Sequence, residues 1–410
     1  MQQTRKRRGV WKVAALVMTL GLVLAACGNG DDPAEEPDAD AAEEEEEEDD
    51  SLEEGEVAEA DPEAEVDESA FYFDKELEII VPFSTGGGTD TQARFMAPFL
   101  ANFVPGNPAV GVFNIAGAGG TIGNNQWWNE RDPEEATSLL FSSASSFLPW
   151  IFGEPALDLD YTQMIGTAAI QTGGVVYVNP ATTGIESPDD FADAVADGSV
   201  SFVAGEQTPD SLGLLFMVAY ELLEMDHNVI MGFEGRGPAR VSFEQGDLDI
   251  NWDTTAAYEA NVQELVANGD AVPVFSVGQI EDGELVRDPV YNDIPHFGEI
   301  YEQIHGEAPS GELFDAYKQL VLAGFTLQKV MWLHQDAPQE AIDEMLQGFA
   351  DMVNDPDFAD SALDVIGDYD LVTGDGVAGA VATLVDFPED QRGLLIDWLV
   401  ENYDYVDPRG

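Results

Sequence analysis

The chain has 410 residues, of which 44% are apolar, so it can bury a sizeable core in two or three domain-sized units. It carries 81 acidic and 15 basic residues, which give a formal net charge of −66. This charge argues against a nucleic-acid-binding protein, because phosphate backbones are bound through Lys and Arg. The single cysteine, Cys27, excludes an intrachain disulfide and a cysteine-based metal site.

The N-terminal segment has the pattern of a bacterial export signal. Five basic residues lie within Met1 to Lys12, and the apolar run that follows, Val13 to Ala26, is too short to span a membrane comfortably. Small residues directly precede Cys27, as in a lipobox, so we expect residues 1–26 to be removed and the Cys27 sulfur to be lipidated. The acyl chains would anchor the protein to the bilayer. The alternative is an ordinary export signal with a chance cysteine.

An acidic segment follows the cysteine. Asp31 to Glu68 holds 23 acidic residues and neither a basic nor an aromatic one, so it cannot bury enough apolar surface to fold. We expect residues 27–68 to form a disordered tether. The remaining region, from Ser69 to Gly410, is also strongly acidic, with only ten basic residues. A folded region this acidic indicates a halophilic host, in which a high salt concentration screens the repulsion between the carboxylates.

From Leu77 to Val277 the sequence alternates short apolar runs with helical patterns. Strands are predicted at 77–81, 110–113, 138–141, 175–178, 200–203, 229–232, 248–252 and 272–277, and helices begin near 90, 121, 210, 238 and 258. Beyond Gly278 the pattern is mainly helical, at 297–304, 339–353, 357–366, 376–385 and 392–403. This order predicts an α/β protein of two lobes, each a mainly parallel sheet flanked by helices. We expect the first lobe to comprise 69–173 with 279–410, and the second 174–278.

Two glycine-rich turns follow consecutive predicted strands. The first runs from Pro82 to Asp90 and the second from Asn114 to Gly123, each between a strand and a helix. Glycines allow a ligand to approach the backbone, and a helix N-terminus attracts anions. The first turn has no Walker lysine, and the second lacks the third glycine of a dinucleotide-binding fingerprint. Plain strand-to-helix turns remain the alternative, but two side by side at one sheet edge favour a ligand site.

These motifs resemble the extracytoplasmic substrate-binding receptors of tripartite tricarboxylate transporters. The resemblance continues through three further elements, Phe233–Ala239, Gly246–Asp249 and Asp293–Pro295. It implies a periplasmic-binding-protein (Venus-flytrap) fold that closes on a small carboxylate, one carboxyl group of which is held by the two glycine loops. It also implies delivery of a di- or tricarboxylate to membrane transporter subunits. We expect a receptor rather than an enzyme, because no nucleophile–base pair is evident, and no metal, because the four histidines lack metal-ligand spacing. We expect no cofactor, and a monomer.

The chain departs from the family pattern in three places. The segment Thr208–Leu212 lacks the family's histidine, Arg236 interrupts a glycine trio, and Glu299 to His334 is unusually long. Arg236 is therefore a candidate clamp for a second ligand carboxylate, and surface pairing with a neighbouring acid is its alternative role. Trp252, which ends a predicted strand beside Asp253, is the best candidate among the tryptophans for ligand contact.

The candidate ligand-binding residues lie in the loops of both predicted lobes. They are Phe83, Ser84, Gly86, Gly87, Gly88, Thr89, Asp90, Asn114, Gly117, Ala118, Gly119, Gly120, Thr121, Ser142, Ser143, Thr208, Ser211, Arg236, Trp252 and Asp253. Two other functions remain open on the same fold. One is a ligand sensor for a signalling partner, and the other is an extracytoplasmic enzyme that uses the glycine loops as an anion cradle.

The lipid anchor is tested by the substitution Cys27→Ser, which removes the only sulfur available for acylation. We expect the variant to stay unprocessed or to be released from the membrane, as followed by cell fractionation and the mass of the mature N-terminus. The unaltered chain is the control. A Cys27→Ser protein that is cleaved and still sediments with the membrane would refute the anchor.

Overall fold

The computed structural model describes residues 57–64, 66–281, 283–325, 327–367, 369, 371–385 and 387–410. The predicted signal segment, Cys27 and most of the acidic tether lie outside these residues. No helix in the described ranges is long and apolar enough to cross a bilayer.

The strands of the described residues are, in chain order, β1 (Val57–Ala58), β2 (Glu76–Val81), β3 (Ala109–Asn114), β4 (Ser138–Ser143), β5 (Met164–Ile170), β6 (Gly174–Val178), β7 (Phe202–Glu206), β8 (His227–Met231), β9 (Ile250–Thr254), β10 (Val272–Ser276), β11 (Gln279–Glu281), β12 (Glu284–Val286), β13 (Lys329–His334) and β14 (Leu371–Thr373). The α-helices are α1 (Gly88–Phe103), α2 (Thr121–Glu130), α3 (Ala144–Phe152), α4 (Pro180–Thr183), α5 (Pro188–Asp197), α6 (Gly213–Leu222), α7 (Arg236–Glu244), α8 (Thr255–Asn261), α9 (Gln263–Asn268), α10 (Phe297–His305), α11 (Glu312–Phe325), α12 (Gln339–Val353), α13 (Pro356–Val365), α14 (Asp375–Val385) and α15 (Glu389–Asn402).

The strands form two main sheets, which are the cores of two lobes. The first sheet has seven strands in the order β1-β3-β2-β4-β13-β5-β14, and the second has three in the order β10-β6-β9. Two shorter pairs, β7 with β8 and β11 with β12, accompany them. The chain passes from the first sheet to the second through residues 171–173, which join β5 directly to β6. The predicted α/β fold with two lobes is confirmed.

The expectation of mainly parallel sheets is wrong, because both sheets are mixed or antiparallel. In the first sheet β2 runs parallel to β3 and β4, whereas β13 is antiparallel to both β4 and β5. In the second sheet β6 is antiparallel to β9 and β10. Helical crossovers within one sheet make neighbouring strands parallel. The strand that follows β5 in the chain, β6, belongs to the second sheet, and the strand that precedes β13 belongs to the β11–β12 pair. No helical crossover within one sheet therefore sets the direction of β5, β6 or β13.

Part of the segment predicted to be a disordered tether is ordered. Val57 and Ala58 form β1, which pairs antiparallel with Gly111 and Val110 at the edge of the first sheet. Ala58 is buried there, and the Asp61 amide donates to Asn102 Oδ1 over 2.7 Å. The acidic composition misled the prediction because two small apolar residues are sufficient to extend an exposed sheet edge.

The core lies on both faces of the first sheet. In β2, Ile79 and Val81 pack into the hydrophobic cluster that contains Leu100 of α1 and Phe349 of α12, whereas Ile80 packs into the opposite cluster. This alternation follows the two-residue period of a strand. The sheet is therefore covered on both faces, and its β2 and β4 ends are rigid supports for the loops that follow them.

The long segment Glu299 to His334 is part of the fold rather than an appendage. It contains α11 and all of β13, which lies between β4 and β5 in the first sheet. Lys329 is the first residue of β13 and lies opposite Ser143 of β4.

Candidate functional site

The first glycine loop ends in a helix whose N-terminus has no side-chain cap. The N-cap of α1 is Gly87, in an extended conformation, and no side chain accepts a hydrogen bond from the first turn. Asp90 is used differently, because its Oδ2 accepts from the Gly86 amide at 2.8 Å and its Oδ1 from Arg94 Nε at 2.9 Å. Asp90 thus fixes the conformation of the loop, and the N–H groups of the buried Gly88 and Thr89 lie at the positive end of the helix dipole.

Asn114 joins the first loop to the end of β3. Its side-chain amide donates to the Phe83 carbonyl at 2.9 Å, and its Oδ1 accepts from Arg94 Nη2 at 2.8 Å. Both Asp90 and Asn114, predicted to bind ligand, therefore shape the loop through contacts with protein groups.

The second glycine loop packs against the second lobe. Gly119 and Gly120 adopt φ of 65° and 101°, and a Cβ on Gly119 would lie 2.7 Å from Thr208 Oγ1. A side chain at Gly119 would meet both backbone strain and this contact. The loop is therefore a close contact between the lobes.

A cavity opens between the lobes in front of α1. The space in it that a water-sized sphere can reach is about 30 Å³, room for one or two water molecules, so the cavity is narrow in this arrangement of the lobes. The lining residues come from both sheets, and among them there is no aspartate or glutamate. They are Phe83, Gly87, Gly88, Thr89, Ser143, Ser145, Gln207, Leu212, Arg236, Trp252, Thr254, Gln328 and Lys329.

Arg236 forms the second-lobe wall of this cavity and is 8% exposed. Its Nη1 donates to the Gly205 carbonyl at 2.8 Å and to Glu206 Oε2 at 3.1 Å, and its Nε donates to the Trp252 carbonyl at 3.1 Å. Its Nη2 donates to Asn251 Oδ1. The guanidinium carbon also lies 4.1 Å from the centre of the Trp252 ring, a cation–π distance.

These contacts change the expected role of Arg236. Four of its five N–H groups are directed to protein acceptors. A two-bond clamp on a ligand carboxylate would have to break a buried protein contact. Surface pairing with Glu234 is not what the structure has either, because the partner is the buried Glu206.

Glu206 completes this wall. Its Oε1 accepts from Trp252 Nε1 at 2.7 Å, and burial raises the pKa of its carboxyl, an effect that the charge of Arg236 opposes. Trp252 is stacked on Phe216 with ring centres 4.1 Å apart, so its indole is fixed in the wall.

Arg240, one helical turn beyond Arg236, links the two lobes. Its Nη2 donates to the Gly86 carbonyl of the first loop at 2.9 Å, and its Nη1 pairs with Asp253 Oδ2 at 3.2 Å. Asp253 is fully buried and also accepts from the Tyr177 hydroxyl at 2.8 Å. Asp253, predicted to contact ligand, therefore holds the arginine that closes the lobes.

The predicted residues divide into two groups by position. Those that line the cavity are Phe83, Gly87, Gly88, Thr89, Ser143, Arg236 and Trp252. Those that lie outside its lining are Ser84, Gly86, Asp90, Asn114, Gly117, Ala118, Gly119, Gly120, Thr121, Ser142, Thr208, Ser211 and Asp253.

Six cavity residues were not predicted: Ser145, Gln207, Leu212, Thr254, Gln328 and Lys329. Gln207 and Thr254 directly adjoin predicted positions. Lys329 carries a signal of its own, since it is one of few basic residues and begins an otherwise apolar stretch from Val330 to Leu333. A charged residue at such a position is buried only where it has a specific partner or function.

Comparison with known proteins supports the resemblance to transporter receptors. Protein BugT of Bordetella pertussis is 35% identical over 111 residues, which are 25% of this chain, and the chain spans about a third of the length of this curated relative (32%). The periplasmic binding protein BugD covers 80% of this chain and 98% of its own with a TM-score of 0.61, at 18% identity. MatC from Rhodopseudomonas palustris, solved with bound malate, covers 79% and 98% with a TM-score of 0.56, at 17% identity. No family model matches the chain.

These similarities confirm the resemblance to substrate-binding receptors of tripartite tricarboxylate transporters that the glycine motifs indicate. The structural matches also show that the chain has the fold of periplasmic binding proteins. Within the described ranges, no group of three or more His, Cys, Asp or Glu is arranged to hold a metal ion.

The buried Arg236–Glu206 pair predicts a strong and pH-dependent stability effect. Arg236→Met leaves an uncompensated buried carboxylate, so we expect the free energy of unfolding at pH 7 to fall by about 3–5 kcal/mol. Glu206 already has a raised pKa, and loss of the arginine raises it further, so protonation removes the charge as the pH falls. The loss should therefore be smaller near pH 4.5 than at pH 7.

Urea unfolding at the two pH values measures this effect. Arg287→Met is the control, because Arg287 forms an exposed ion pair with Glu299 and should contribute less than about 1 kcal/mol. The double variant Arg236→Met/Glu206→Gln should recover much of the loss. A similar small loss in Arg236→Met and Arg287→Met would contradict the structural role of Arg236.

Proposed function

We propose that this protein is an extracytoplasmic solute receptor that binds a small organic carboxylate between its lobes and delivers it to a membrane transporter of the tripartite tricarboxylate type. The observation that carries the proposal is the uncapped first turn of α1, which faces a cavity walled by both lobes and free of acidic side chains among its lining residues. Backbone N–H groups at a helix N-terminus bind carboxylates without a charged side chain. In a chain of net charge −66, a cavity without acids is the place where an anion meets the least repulsion.

Closure of the lobes is the mechanism we infer for capture. The Arg240–Gly86 hydrogen bond and the Leu212 amide, which donates to Ser145 Oγ at 3.4 Å, already join the lobes around the cavity. A ligand that contacts both walls favours this closed arrangement over an open one by its additional contacts. The closed receptor is then the form that a transporter would distinguish from the empty one.

The location follows from the same proposal. An export signal and acylation of Cys27 would place the body outside the cytoplasmic membrane, attached to it by lipid. The similarity to periplasmic binding proteins supports an extracytoplasmic location. Delivery to a signalling partner uses the same capture step, and its test is the identity of the membrane protein that binds the closed form.

A ligand screen tests the proposal. We expect at least one di- or tricarboxylate, malate included in the panel, to raise the melting temperature, since ligand at 100 times its dissociation constant stabilises by about 2.7 kcal/mol. Gly87→Val should abolish this shift. A Cβ at this position would lie 3.7 Å from its nearest protein neighbour, the Ser84 carbonyl, so it makes an ordinary contact with the fold at a residue of the cavity lining.

Gly393→Val is the matched control, because Gly393 lies on α15 far along the chain from the cavity and a Cβ there meets only Arg409 Nη1 at 3.9 Å. It should bind the acids as the unaltered protein does. Equal affinity of the Gly87→Val and unaltered proteins would exclude the α1 turn as the site. Conversion of an acid to product would favour the enzyme alternative over a receptor.

A further inference from the structure

Lys329 is a buried lysine whose ammonium group reaches the cavity from the first lobe. It is the first residue of β13, between Ser143 of β4 and Ile170 of β5, and it is 1% exposed. Its Nζ donates to Gln328 Oε1, and it lies 3.5 Å from Thr254 Oγ1 of the second lobe, the outer limit of a hydrogen bond. Both of these partners are neutral.

The Lys329 ammonium has no direct ionic partner in the described part of the chain, although the charge of Asp253 acts on it. Among the described residues no carboxylate lies within ion-pair distance of Lys329, and no acidic side chain lines the cavity. Arg236, the other cation of the lining, is paired with Glu206 behind it. Asp253 forms no ion pair with Lys329 but acts on it through its charge; its Oδ2 is held by Arg240 and Tyr177, whereas its buried Oδ1 has no hydrogen-bond partner among the described residues. A buried ammonium without a paired anion is unfavourable unless a ligand supplies one.

The neighbouring donors converge on the same space. The Lys329 nitrogen lies 3.4 Å from the point where a Cβ of Gly88 would be, so the ammonium stands directly beside the positive end of α1. Gln207, 5% exposed and part of the lining, has an Nε2 that meets no acceptor in the described part of the chain. Two like-signed groups and an unused amide donor around one cavity all gain from an anion placed among them.

We propose that Lys329 is the specificity-determining residue of the site, which forms the ion pair with a ligand carboxylate held at the α1 turn. This rests on the proposed function and names the group that makes the receptor select anions. Arg236 then stays bonded to Glu206 in the cavity wall, and the positive charge of Lys329 pairs with the ligand carboxylate.

The proposal has a consequence for pH. Burial lowers the pKa of Lys329 to about 7, with the charge of Asp253 opposing the shift. The other charged groups that face the cavity or lie beneath it are Arg236, paired with Glu206, and Arg240, paired with Asp253. A bound carboxylate favours the ammonium form and raises the pKa of Lys329. Ligand binding above pH 7 therefore takes up a proton, and affinity falls as the pH rises.

Calorimetric titration with malate, and with the tightest acid of the panel, tests Lys329 at pH 6.5 and 8.5. The carboxyl groups of these acids are ionised at both values. Lys329→Met keeps the length of the side chain without its charge, and we expect it to bind about 10–100-fold more weakly at pH 6.5. The unaltered protein should bind several-fold more weakly at pH 8.5 than at pH 6.5, whereas Lys329→Met should show no such change.

Lys318→Met is the control for the loss of one positive charge, because Lys318 lies on α11 and pairs with Asp315 outside the cavity. It should retain both the affinity and the pH dependence. Proton uptake by the unaltered protein, measured in buffers of different ionisation enthalpy, tests the proposal without any variant. Equal affinities of Lys329→Met and the unaltered protein, or binding without proton uptake at pH 8.5, would overturn the role of Lys329 and leave the receptor function intact. Failure of every acid to bind the unaltered protein would instead overturn the proposed function, and this inference with it.

Discussion

The constraint on which the site depends is a cavity that has the N-terminus of α1 and the Lys329 ammonium in its lining and no acidic side chain there. The first turn of α1 has no capping side chain, and the Lys329 ammonium stands beside it in a cavity without acidic lining residues. Elsewhere in the described ranges Arg131, Arg287, Lys318 and Arg409 each have a carboxylate within ion-pair distance. The exclusion of acids from this one cavity is therefore a property that the fold must maintain, and it favours a small anion as the missing partner.

The polar residues around the cavity keep acidic side chains out of its lining, because they form hydrogen bonds and ion pairs with one another. Asp90 and Asn114 hold the first loop from below, so their oxygen atoms face protein donors instead of the cavity. Glu206 and Asp253 are turned toward Arg236 and Arg240 in the same way. Asp90, Glu206 and Asp253 are thus each paired with an arginine, Arg94, Arg236 and Arg240 respectively. The cavity lining then contains neutral hydroxyl, amide and backbone groups, the ammonium of Lys329 and the guanidinium of Arg236, which is paired with Glu206.

The sequence was sufficient to predict the lobes and the first loop, because both depend on local patterns. Apolar runs alternate with helical periods from Leu77 to Val277, and Gly86 to Gly88 lie directly between a strand and a helix. The roles of Asp90 and Arg236 were not predictable in this way. Their partners are set by side-chain directions in three dimensions, and a motif does not tell whether a polar side chain faces a ligand or a neighbouring backbone group.

The contribution of Lys329 was out of reach for a related reason. It enters the site on β13, more than two hundred positions after Gly88, and only the antiparallel placement of β13 beside β4 brings it to the α1 turn. No strand is predicted at 329–334, because the sequence pattern beyond Gly278 is mainly helical, and the sequence therefore offers no reason to place Lys329 at the site. The ordered β1 was missed because composition averages over a segment, whereas pairing at a sheet edge depends on two residues.

A crystal structure of the protein with its tightest-binding dicarboxylate tests the central claim most directly. The account predicts density for one carboxylate within hydrogen-bond distance of the Gly88 or Thr89 amide and of Lys329 Nζ, with Arg236 still bonded to Glu206. A ligand that lies outside this cavity, or one that leaves Lys329 without contact and displaces Arg236 from Glu206, would contradict it.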